Sequence, residues 1–516
     1  MVYEADERRI VNNKEERTDW RSIYVATGLS FVGAVQFSLY FSSLWPYLKI
    51  TDPGITEGFF GVTVALYSMG QVLSAPAFGL WSNRIRQVRQ PLNVGLCLMM
   101  IGNGVYILME PITFIKNRYI LLVSRFLLGM GSGNVALLRT YASTASLESD
   151  RSRAIAFVTC GQAVGQVAGP AFQFIFTHFT YPGNGLLGLI HFNLYTLPAY
   201  FAILMNVVAI FALHRLFDEK YVGIIEEDEH QTDEAAESQR PSTPTILIPY
   251  DLLAVLICYA TRFVDMFARS TLETLGSPFA MMMFGFTEQQ AVRYVAFAQG
   301  TVGALTLSVY LLYIFGNVEK YVHYRIGTIL SLALMILFHL ITYAWPFLPH
   351  YVDKFTENVV SKNASSTMAV GCNATKFEWC NDLTSVNVYV YFTSYILCIG
   401  IGFPLLTITL TSLFSKILGP RRQGAQQGIF QSSSALARIV GPLIVTQTYS
   451  HSGPRPVWLI EIGVISFVLA SWGVCYTRMV PLKMPSIQQE EVDTHGQTFG
   501  YSNPQFDEED EVEELR

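Results

Sequence analysis

The sequence predicts an all-α polytopic membrane protein, with twelve transmembrane helices arranged in two six-helix halves. Of the 516 residues, 51% are hydrophobic and only 14% are charged, whereas about 25% of the residues of a soluble domain are charged. Apolar runs of about 20 residues, enough to cross a bilayer as a helix, recur along the chain. Glycine motifs of the first half return in the second, which indicates two related halves.

The apolar runs place twelve spans, most of them joined by short loops. In order they are Ile23–Leu48, Phe59–Leu80, Pro91–Met109, Tyr119–Ala142, Ala154–Phe176, Leu194–Leu216, Leu252–Met283, Val292–Phe315, Ile326–Trp345, Val386–Leu410, Gly428–Tyr449 and Val457–Tyr476. Residues 22–216 therefore form an N-terminal half, and residues 251–477 form a C-terminal half. An acidic linker at residues 217–250 joins them, and polar tails occupy residues 1–21 and 478–516.

Basic residues orient the bundle, because short cytosolic loops carry an excess of lysine and arginine. The short loops after spans two, four, eight and ten carry most of them: Arg84, Arg86, Arg89, Arg151, Arg153, Lys320, Arg325, Lys416, Arg421 and Arg422. The pattern predicts that both termini and the linker face the cytosol. The first 21 residues are charged throughout and do not resemble a cleavable signal peptide, so we expect the first span to direct insertion.

The long loop at residues 346–385 falls on the opposite, lumenal or extracellular side. It contains two glycosylation sequons, at Asn363 and Asn373. It also contains Cys372 and Cys380, whereas the other five cysteines lie in apolar runs. A cysteine pair flanked by sequons indicates an oxidising compartment and predicts a disulfide.

The seventh span carries four charged residues on one face. Arg262, Asp265, Arg269 and Glu273 follow one another at intervals of three, four and four residues, which places them within about 80° around a helix. A charge at the bilayer centre costs about 2.5–3.5 kcal/mol on insertion scales, so such residues usually face a bundle interior or a water-filled path.

Three interpretations of this charged face remain open. The pairs Arg262–Asp265 and Arg269–Glu273 could neutralise each other along the helix without further function. The span could instead end early, so that Arg269 and Glu273 lie at the lumenal mouth. In the functional interpretation, Asp265 or Glu273 binds a coupling proton or steadies an arginine that holds an anion.

Three further arginines lie in apolar runs. Arg125 and Arg139 belong to span four, where Arg139 is near the cytosolic end and could reach the headgroups. Arg438 belongs to span eleven, where it could bond backbone carbonyls freed by a nearby proline. If all five deep arginines lie within the bundle, only Asp265 and Glu273 oppose them, and a net positive pathway favours an anionic ligand. The predicted anion contacts are Arg125, Arg262, Arg269 and Arg438.

Local motifs resemble those of the major facilitator superfamily. After span two, that family has Gly-x-x-x-Asp-Arg, and this sequence has Gly79-Leu80-Trp81-Ser82-Asn83-Arg84, with Asn83 in place of aspartate. Span four contains the family pattern as Arg125, Gly129 and Gly131, and span five contains it as Gly161, Gly165, Gly169 and Pro170. The resemblance implies two rocking halves around a midplane site between spans one, four, seven and ten. It also implies cytosolic gating by Gly79, Asn83 and Arg84.

Longer strings, spread over most of the chain, are similar to the lysosomal ceroid-lipofuscinosis neuronal protein seven subfamily. They are Ser43-Leu-Trp-Pro-Tyr47, Gly79-Leu-Trp-Ser-Asn83, Gly133-Asn-Val-Ala136, Ser415-Lys-Ile-Leu-Gly-Pro420 and Ala437-Arg-Ile-Val-Gly-Pro442. This resemblance implies an endolysosomal membrane, with anion or chloride conduction proposed for the subfamily; the plasma membrane is the alternative. Two candidate signals for sorting adaptors are Tyr221-Val-Gly-Ile224 and Tyr501-Ser-Asn-Pro-Gln-Phe506.

The expected function is transport of a small anionic solute by alternating access, with protons as a coupling ion. The first alternative is an anion (chloride) channel that uses the same positive pathway, and the second is a non-transporting membrane scaffold or receptor. The sequence contains no nucleophile–base pair, cofactor motif or metal-ligand spacing, so no enzyme, cofactor or metal site is expected. The expected partners are the solute, protons, membrane lipid and sorting adaptors. No nucleic-acid partner is expected.

Overall fold

The computed structural model describes residues 17–40, 43–52, 57–111, 116–147, 149–176, 178–179, 182–186, 190–222, 249–316, 318–355, 371–375 and 377–482. Within these ranges the predicted spans are helical, which confirms the all-α class. Most of the linker, the Asn363 sequon and the sorting sequence that begins at Tyr501 lie outside the described residues.

The six spans of the N-terminal half contain eight helices. They are Trp20–Ser38 and Leu44–Thr51 in span one, Glu57–Ile85 in span two, Arg89–Ile107 in span three, Asn117–Gly131 and Asn134–Thr144 in span four, Arg151–Phe176 in span five and Leu197–Arg215 in span six. Between spans five and six, strands β1 (Asn184–Leu186) and β2 (Ile190–Phe192) form an antiparallel hairpin.

The C-terminal half repeats this plan. Its spans are Leu252–Phe284 (seven), Glu288–Phe315 (eight), Tyr324–Ile341 (nine), Val388–Leu418 (ten), Gly424–Ser452 (eleven) and Pro454–Val474 (twelve). Span ten consists of Val388–Ser394, a π-helical turn at Tyr395–Ile399, and Gly400–Leu418. Short 3₁₀ turns lie at Val318–Lys320 and Glu378–Asp382.

Not every span is apolar enough to cross a membrane by itself. By length and composition, eight helical stretches in the described part of the chain could do so. The helices of spans one, two, three and seven are of similar length but more polar. A polar helix can cross a bilayer when neighbouring helices cover its polar face, so these four spans depend on the bundle around them.

Each half places its fifth helix against its first. In the N-terminal half, span five packs on span one through glycines: a Cβ on Gly161 would lie 2.5 Å from the carbonyl oxygen of Thr27, and one on Gly169 would lie 2.0 Å from Ser38 Oγ. The equivalent contact in the C-terminal half is looser, since a Cβ on Gly441 would lie 3.4 Å from Ser270 Oγ. The shared arrangement agrees with the repeat seen in the sequence.

Close contacts join the two halves near the end of the bundle that carries the basic short loops, which we call the basic end. There span two packs against span eleven, where a Cβ on Gly428 would lie 2.5 Å from the carbonyl oxygen of Ala75. Ser432 Oγ donates to the carbonyl oxygen of Val72 at 2.8 Å. Ser143 of span four donates to Gln423 at 3.2 Å. The structure is therefore closed at the basic end.

The loop between spans nine and ten confirms the predicted disulfide, because Cys372 and Cys380 are bonded. Cys372 belongs to β4 (Cys372–Asn373), which pairs in parallel with β3 (Lys354–Phe355). In the second sequon, Asn373 Oδ1 accepts a hydrogen bond from the amide of Thr375 at 3.0 Å. Glycosylation of Asn363 and Asn373 stays a prediction.

Asp251 begins the seventh span. Its carboxylate accepts hydrogen bonds from the amides of Leu253 and Ala254, as a helix N-cap does. It also accepts from Arg478 Nε at 2.7 Å, just beyond span twelve. Partial burial raises the pKa of Asp251, but these amides and the guanidinium bring it below its ordinary value. The start of span seven is thus tied to the end of span twelve.

Candidate transport site

Asp265 is the centre of the charged face of span seven. It is completely buried, and each of its oxygens binds one arginine: Oδ2 is 2.9 Å from Arg262 Nη1, and Oδ1 is 3.2 Å from Arg269 Nε. The predicted Arg262–Asp265 pair is therefore present. The alternative Arg269–Glu273 pair is absent among the described residues, because Arg269 binds Asp265 instead. Glu273 is exposed, and forms no ion pair among the described residues.

Arg269 also joins span seven to span ten. Its Nη2 donates to the carbonyl oxygen of Phe403 at 3.1 Å and to Thr407 Oγ1 at 3.0 Å. The guanidinium lies over the Phe403 ring, 4.0 Å from its centroid. Thr407 is near the middle of span ten, so Arg269 lies at mid-depth rather than at the mouth of the bundle. Its side chain is 26% exposed, and is accessible to a solute.

Arg139 does not reach the headgroups as predicted. It is 2% exposed, and it donates at 2.8 Å to two amide oxygens, those of Gln431 in span eleven and Gln162 in span five. These helices cover it, so it lies between the two halves. Its third nitrogen, Nε, has no hydrogen-bond partner in the described structure.

Arg125 lies deep in span four without a carboxylate against it. It is 6% exposed, its guanidinium lies 4.8 Å from the centroid of the Tyr40 ring, and its Nε has no hydrogen-bond partner among the described residues. The Tyr40 hydroxyl donates to Asn103 Oδ1 at 2.5 Å. Arg125 is thus held by an aromatic ring whose hydroxyl is fixed by a hydrogen bond, and its Nε has no partner in the described structure.

The polar residues of span one connect helices. Asn103 Nδ2 donates to Gln36 Oε1 at 3.1 Å, and the amide of Gln36 exchanges hydrogen bonds with Asn206 of span six. All three side chains are buried. Such interhelical bonds are the usual role of amides inside a membrane bundle, so Gln36 supports the scaffold of the N-terminal half.

Arg438 faces the first span rather than the proline-freed carbonyls of its own helix. Its guanidinium lies 4.5 Å from the centroid of the Phe37 ring, and its Nη2 is 3.4 Å from the sulfur of Met266. Arg438 is half-buried. It therefore sits where span eleven meets spans one and seven.

The five arginines belong to spans four, seven and eleven, and one buried carboxylate, that of Asp265, pairs with two of them. Guanidinium groups keep their charge, so the interior between the halves is strongly positive. Aromatic faces contact four of the five: Tyr40, Phe430, Phe403 and Phe37 lie against Arg125, Arg262, Arg269 and Arg438 respectively. Cation–π contacts stabilise a guanidinium without neutralising it, so the positive field stays available to an anion.

The predicted gating motif lies at the closed basic end. Asn83 Oδ1 accepts from the amide of Gly424 at 3.0 Å, and its Nδ2 lies 3.5 Å from the carbonyl oxygen of Arg422. Gly79 lies against the same segment, whereas Arg84 is exposed. Asn83 can both donate to the loop before span eleven and accept from the first residue of that span, which an ionised aspartate in the same place could not do.

One deep charge was missed by the sequence analysis. Glu461 of span twelve is 0% exposed, and neither of its carboxyl oxygens has a hydrogen-bond partner in the part of the chain that the structure describes. It is the one acidic residue of an otherwise apolar span. That isolation was the signal that could have revealed it, because acidic residues in spans are rare and usually functional.

Comparisons with known proteins agree with this architecture. The family model described as Major Facilitator Superfamily matches residues 26–361. A Xenopus laevis protein named Major facilitator superfamily domain-containing protein 8 is 30% identical over 496 residues, which cover 92% of this chain and 94% of that protein.

Solved structures show the same fold. That of the human organic anion transporter MFSD10 (TETRAN) is 15% identical, covers 87% of this chain and 98% of its own, and has a TM-score of 0.59. The transporter FucP, in an outward conformation, is 14% identical, covers 88% of this chain and 98% of its own, and also has a TM-score of 0.59. The chain therefore belongs to the major facilitator superfamily.

Proposed function

We propose that this protein moves a small anionic solute across an endolysosomal membrane by alternating access. The main supporting observation is the charge of the interior, where five arginines lie in spans four, seven and eleven and Asp265 pairs with two of them. A low-dielectric cavity with unneutralised guanidinium groups attracts an anion and repels a cation. The fold supports transport, and the printed name of the MFSD10 structure, an organic anion transporter, favours the same class of solute.

Arg125 and Arg269 are the proposed direct contacts with the anion. Arg125 comes from the N-terminal half and has an unpartnered Nε; Arg269 comes from the C-terminal half and is partly exposed. A solute bound by both would touch both halves, so their movement about it would carry it across. Arg262 and Arg438 supply positive charge beside this pair.

Proton coupling is assigned to Glu273 in preference to Asp265. Both carboxylate oxygens of Asp265 are occupied by guanidinium groups, so we assign Asp265 the role of orienting Arg262 and Arg269. Glu273 is one helical turn beyond Arg269, exposed, and without an ion-pair partner in the described structure. A coupling proton bound to this carboxylate would change the local charge beside Arg269.

The proposed compartment and subfamily are based on sequence similarity to other proteins. The sequence strings similar to the lysosomal ceroid-lipofuscinosis neuronal protein seven subfamily support an endolysosomal membrane, and the Xenopus relative supports a protein of the major facilitator type. The basic short loops support cytosolic termini. The packed glycines of spans two and eleven favour a carrier over a channel, because they form a closed end that alternating access requires to open.

Uptake of a panel of anions into proteoliposomes, under a pH gradient, tests the proposal. We expect Arg125→Ala and Arg269→Ala to weaken solute affinity about tenfold or more, since a hydrogen bond to a charged group is worth about 1.5–3 kcal/mol. Arg325→Ala is the matched control, because Arg325 lies at the basic end against Tyr476. Unchanged affinity in both interior variants would refute the anion site.

Currents far above about a thousand ions per second would instead indicate a channel, because rocking steps take microseconds to milliseconds.

A further inference from the structure

Glu461 lies inside the C-terminal half, away from the contacts that hold the charged face of span seven. Its carboxyl group is 0% exposed, and both oxygens lack hydrogen-bond partners in the described structure. An isolated carboxylate buried in an apolar environment is so costly that the group neutralises instead. Burial without a cation therefore favours the protonated carboxyl group.

The hydroxyl of the neighbouring threonine is already engaged with its own helix. Thr271 of span seven lies beside the Glu461 carboxyl group, and its hydroxyl donates to the carbonyl oxygen of Phe267 at 3.0 Å. A hydroxyl has one hydrogen, so Thr271 has none left for a carboxylate, but its oxygen can still accept a hydrogen bond. A protonated Glu461 can supply that hydrogen bond, whereas an ionised Glu461 cannot.

No cation from the helices packed around span twelve contacts Glu461. In span seven, Arg262 and Arg269 both bind Asp265, and Arg269 also binds Thr407 of span ten. Glu273 is exposed. In span eleven, Arg438 faces Phe37 and Met266.

Two further titratable groups on these helices also point elsewhere. Tyr449 of span eleven packs against Trp379. In span nine, His339 is buried, its Nδ1 lies 2.7 Å from the carbonyl oxygen of Met335, and its ring packs against Trp458. Trp458 lies one helical turn before Glu461.

Spans seven and twelve contact each other on both sides of Glu461, through a ring stack on one side and a hydrogen bond from a tryptophan on the other. Towards the loop that carries the disulfide, the rings of Phe279 and Trp458 stack with centroids 4.7 Å apart. Towards the basic end, Trp472 Nε1 donates to Thr261 Oγ1 at 2.9 Å. Because span seven carries the charged face, a movement of this helix relative to span twelve would change both the transport site and the surroundings of Glu461.

We propose that Glu461 is a proton-binding site, occupied in this conformation, whose proton is released to water when spans seven and twelve separate. The site would couple the protonation of the C-terminal half to the position of span seven. It is separate from the anion contacts and from Glu273, and it does not depend on which solute is carried.

Infrared difference spectroscopy on the reconstituted full chain tests this proposal without any solute. At neutral pH, the wild-type protein should show the carbonyl absorption of a buried protonated carboxyl group. Glu461→Gln should lose that band completely, because the amide replaces the acid at nearly the same volume, whereas the matched Glu273→Gln should retain it. Glu461→Asp should shift the band without abolishing it. This variant replaces Glu461→Gln as the test if the glutamine variant fails to fold.

A second measurement tests release. Trp472→Phe should weaken the contact between spans seven and twelve, because it removes the indole donor that binds Thr261 Oγ1 at 2.9 Å, and the band should weaken at neutral pH. Gly463→Leu is the control, since a Cβ on Gly463 of span twelve meets nothing within 4 Å. A wild-type protein without the band would overturn the proton site. A band that stays equal in Trp472→Phe would overturn its release. Neither result depends on anion transport.

Discussion

Gly79 of span two lies so close to Gly424 of span eleven that a Cβ on Gly79 would come within 2.1 Å of the Gly424 carbonyl oxygen. Real Cβ atoms do not approach backbone oxygens so closely, so the two helices must separate to admit any side chain. Gly79 belongs to the motif predicted to gate the cytosolic side, and the contact gives that motif a steric basis.

Gly79→Val should therefore destabilise the closed basic end and shift the protein towards conformations in which that end is open. The measurement is the modification rate of a single cysteine placed near the contact, at Ser432, by a reagent added from the basic side. We expect the rate to rise several-fold. Gly61→Val, on the same helix, is the control because a Cβ there meets nothing within 4 Å. Equal cysteine modification rates in both variants would contradict a gating role for Gly79.

Asp265→Asn should lower the stability of the folded protein by about 3–5 kcal/mol, the usual result of removing one partner from a buried ion pair. The cause is that Arg262 and Arg269 would both keep their charges beside each other with no carboxylate between them. Thermal unfolding in detergent measures the effect. Glu273→Gln should leave the unfolding temperature nearly unchanged, since Glu273 is exposed; a similar loss in both variants would contradict the central position of Asp265.

Gly169→Ala and Gly441→Ala should differ, although the two glycines occupy equivalent places in the repeat. A Cβ at position 169 would lie 2.0 Å from Ser38 Oγ and 2.9 Å from the amide nitrogen of Leu39, whereas one at position 441 meets only ordinary contacts from 3.4 Å. We expect the first variant to lose stability and the second to keep it, as measured by unfolding temperature. The reverse order would show that the tight packing of spans one and five is not maintained in solution.

Glycosylation of the loop between spans nine and ten tests the predicted orientation. We expect Asn363→Gln and Asn373→Gln each to remove one glycan, and the double variant to match the mass of enzymatically deglycosylated protein on a gel. The reason is that only a lumenal or extracellular loop meets the glycosylation machinery. A wild-type protein without glycans in a cell that glycosylates secreted proteins would count against the predicted orientation.

Parts of the site followed from helix geometry alone, and the Arg262–Asp265 pair is one. Residues three apart on a helix are neighbours whatever surrounds them, so their contact could be read from spacing. The same rule allowed Arg269 to pair with either Asp265 or Glu273, both four residues away. Span ten decided between them, because Phe403 and Thr407 bind the guanidinium and hold it on the side of Asp265.

The arginines outside span seven depended on tertiary packing. The proximity of Arg139 to a span end suggested headgroup contact, but Gln162 and Gln431, which come from different halves, enclose it. No spacing rule relates residues so distant along the chain. Glu461 was overlooked for the opposite reason: a single acid in an apolar run looks minor until its burial shows that it has no partner.

By itself, the sequence determined that the chain crosses the membrane repeatedly, that its halves repeat, that Cys372 and Cys380 form a pair and that span seven bears charge. These features depend on composition and local spacing, which hydrophobic length and helix periodicity translate directly into structure. The tertiary structure alone decided which end is closed, which acid pairs with Arg269, and that Glu461 has no hydrogen-bond partner among the described residues. Those relations are set by contacts between distant helices, whose packing must satisfy or isolate every buried polar group, and local sequence carries no record of that choice.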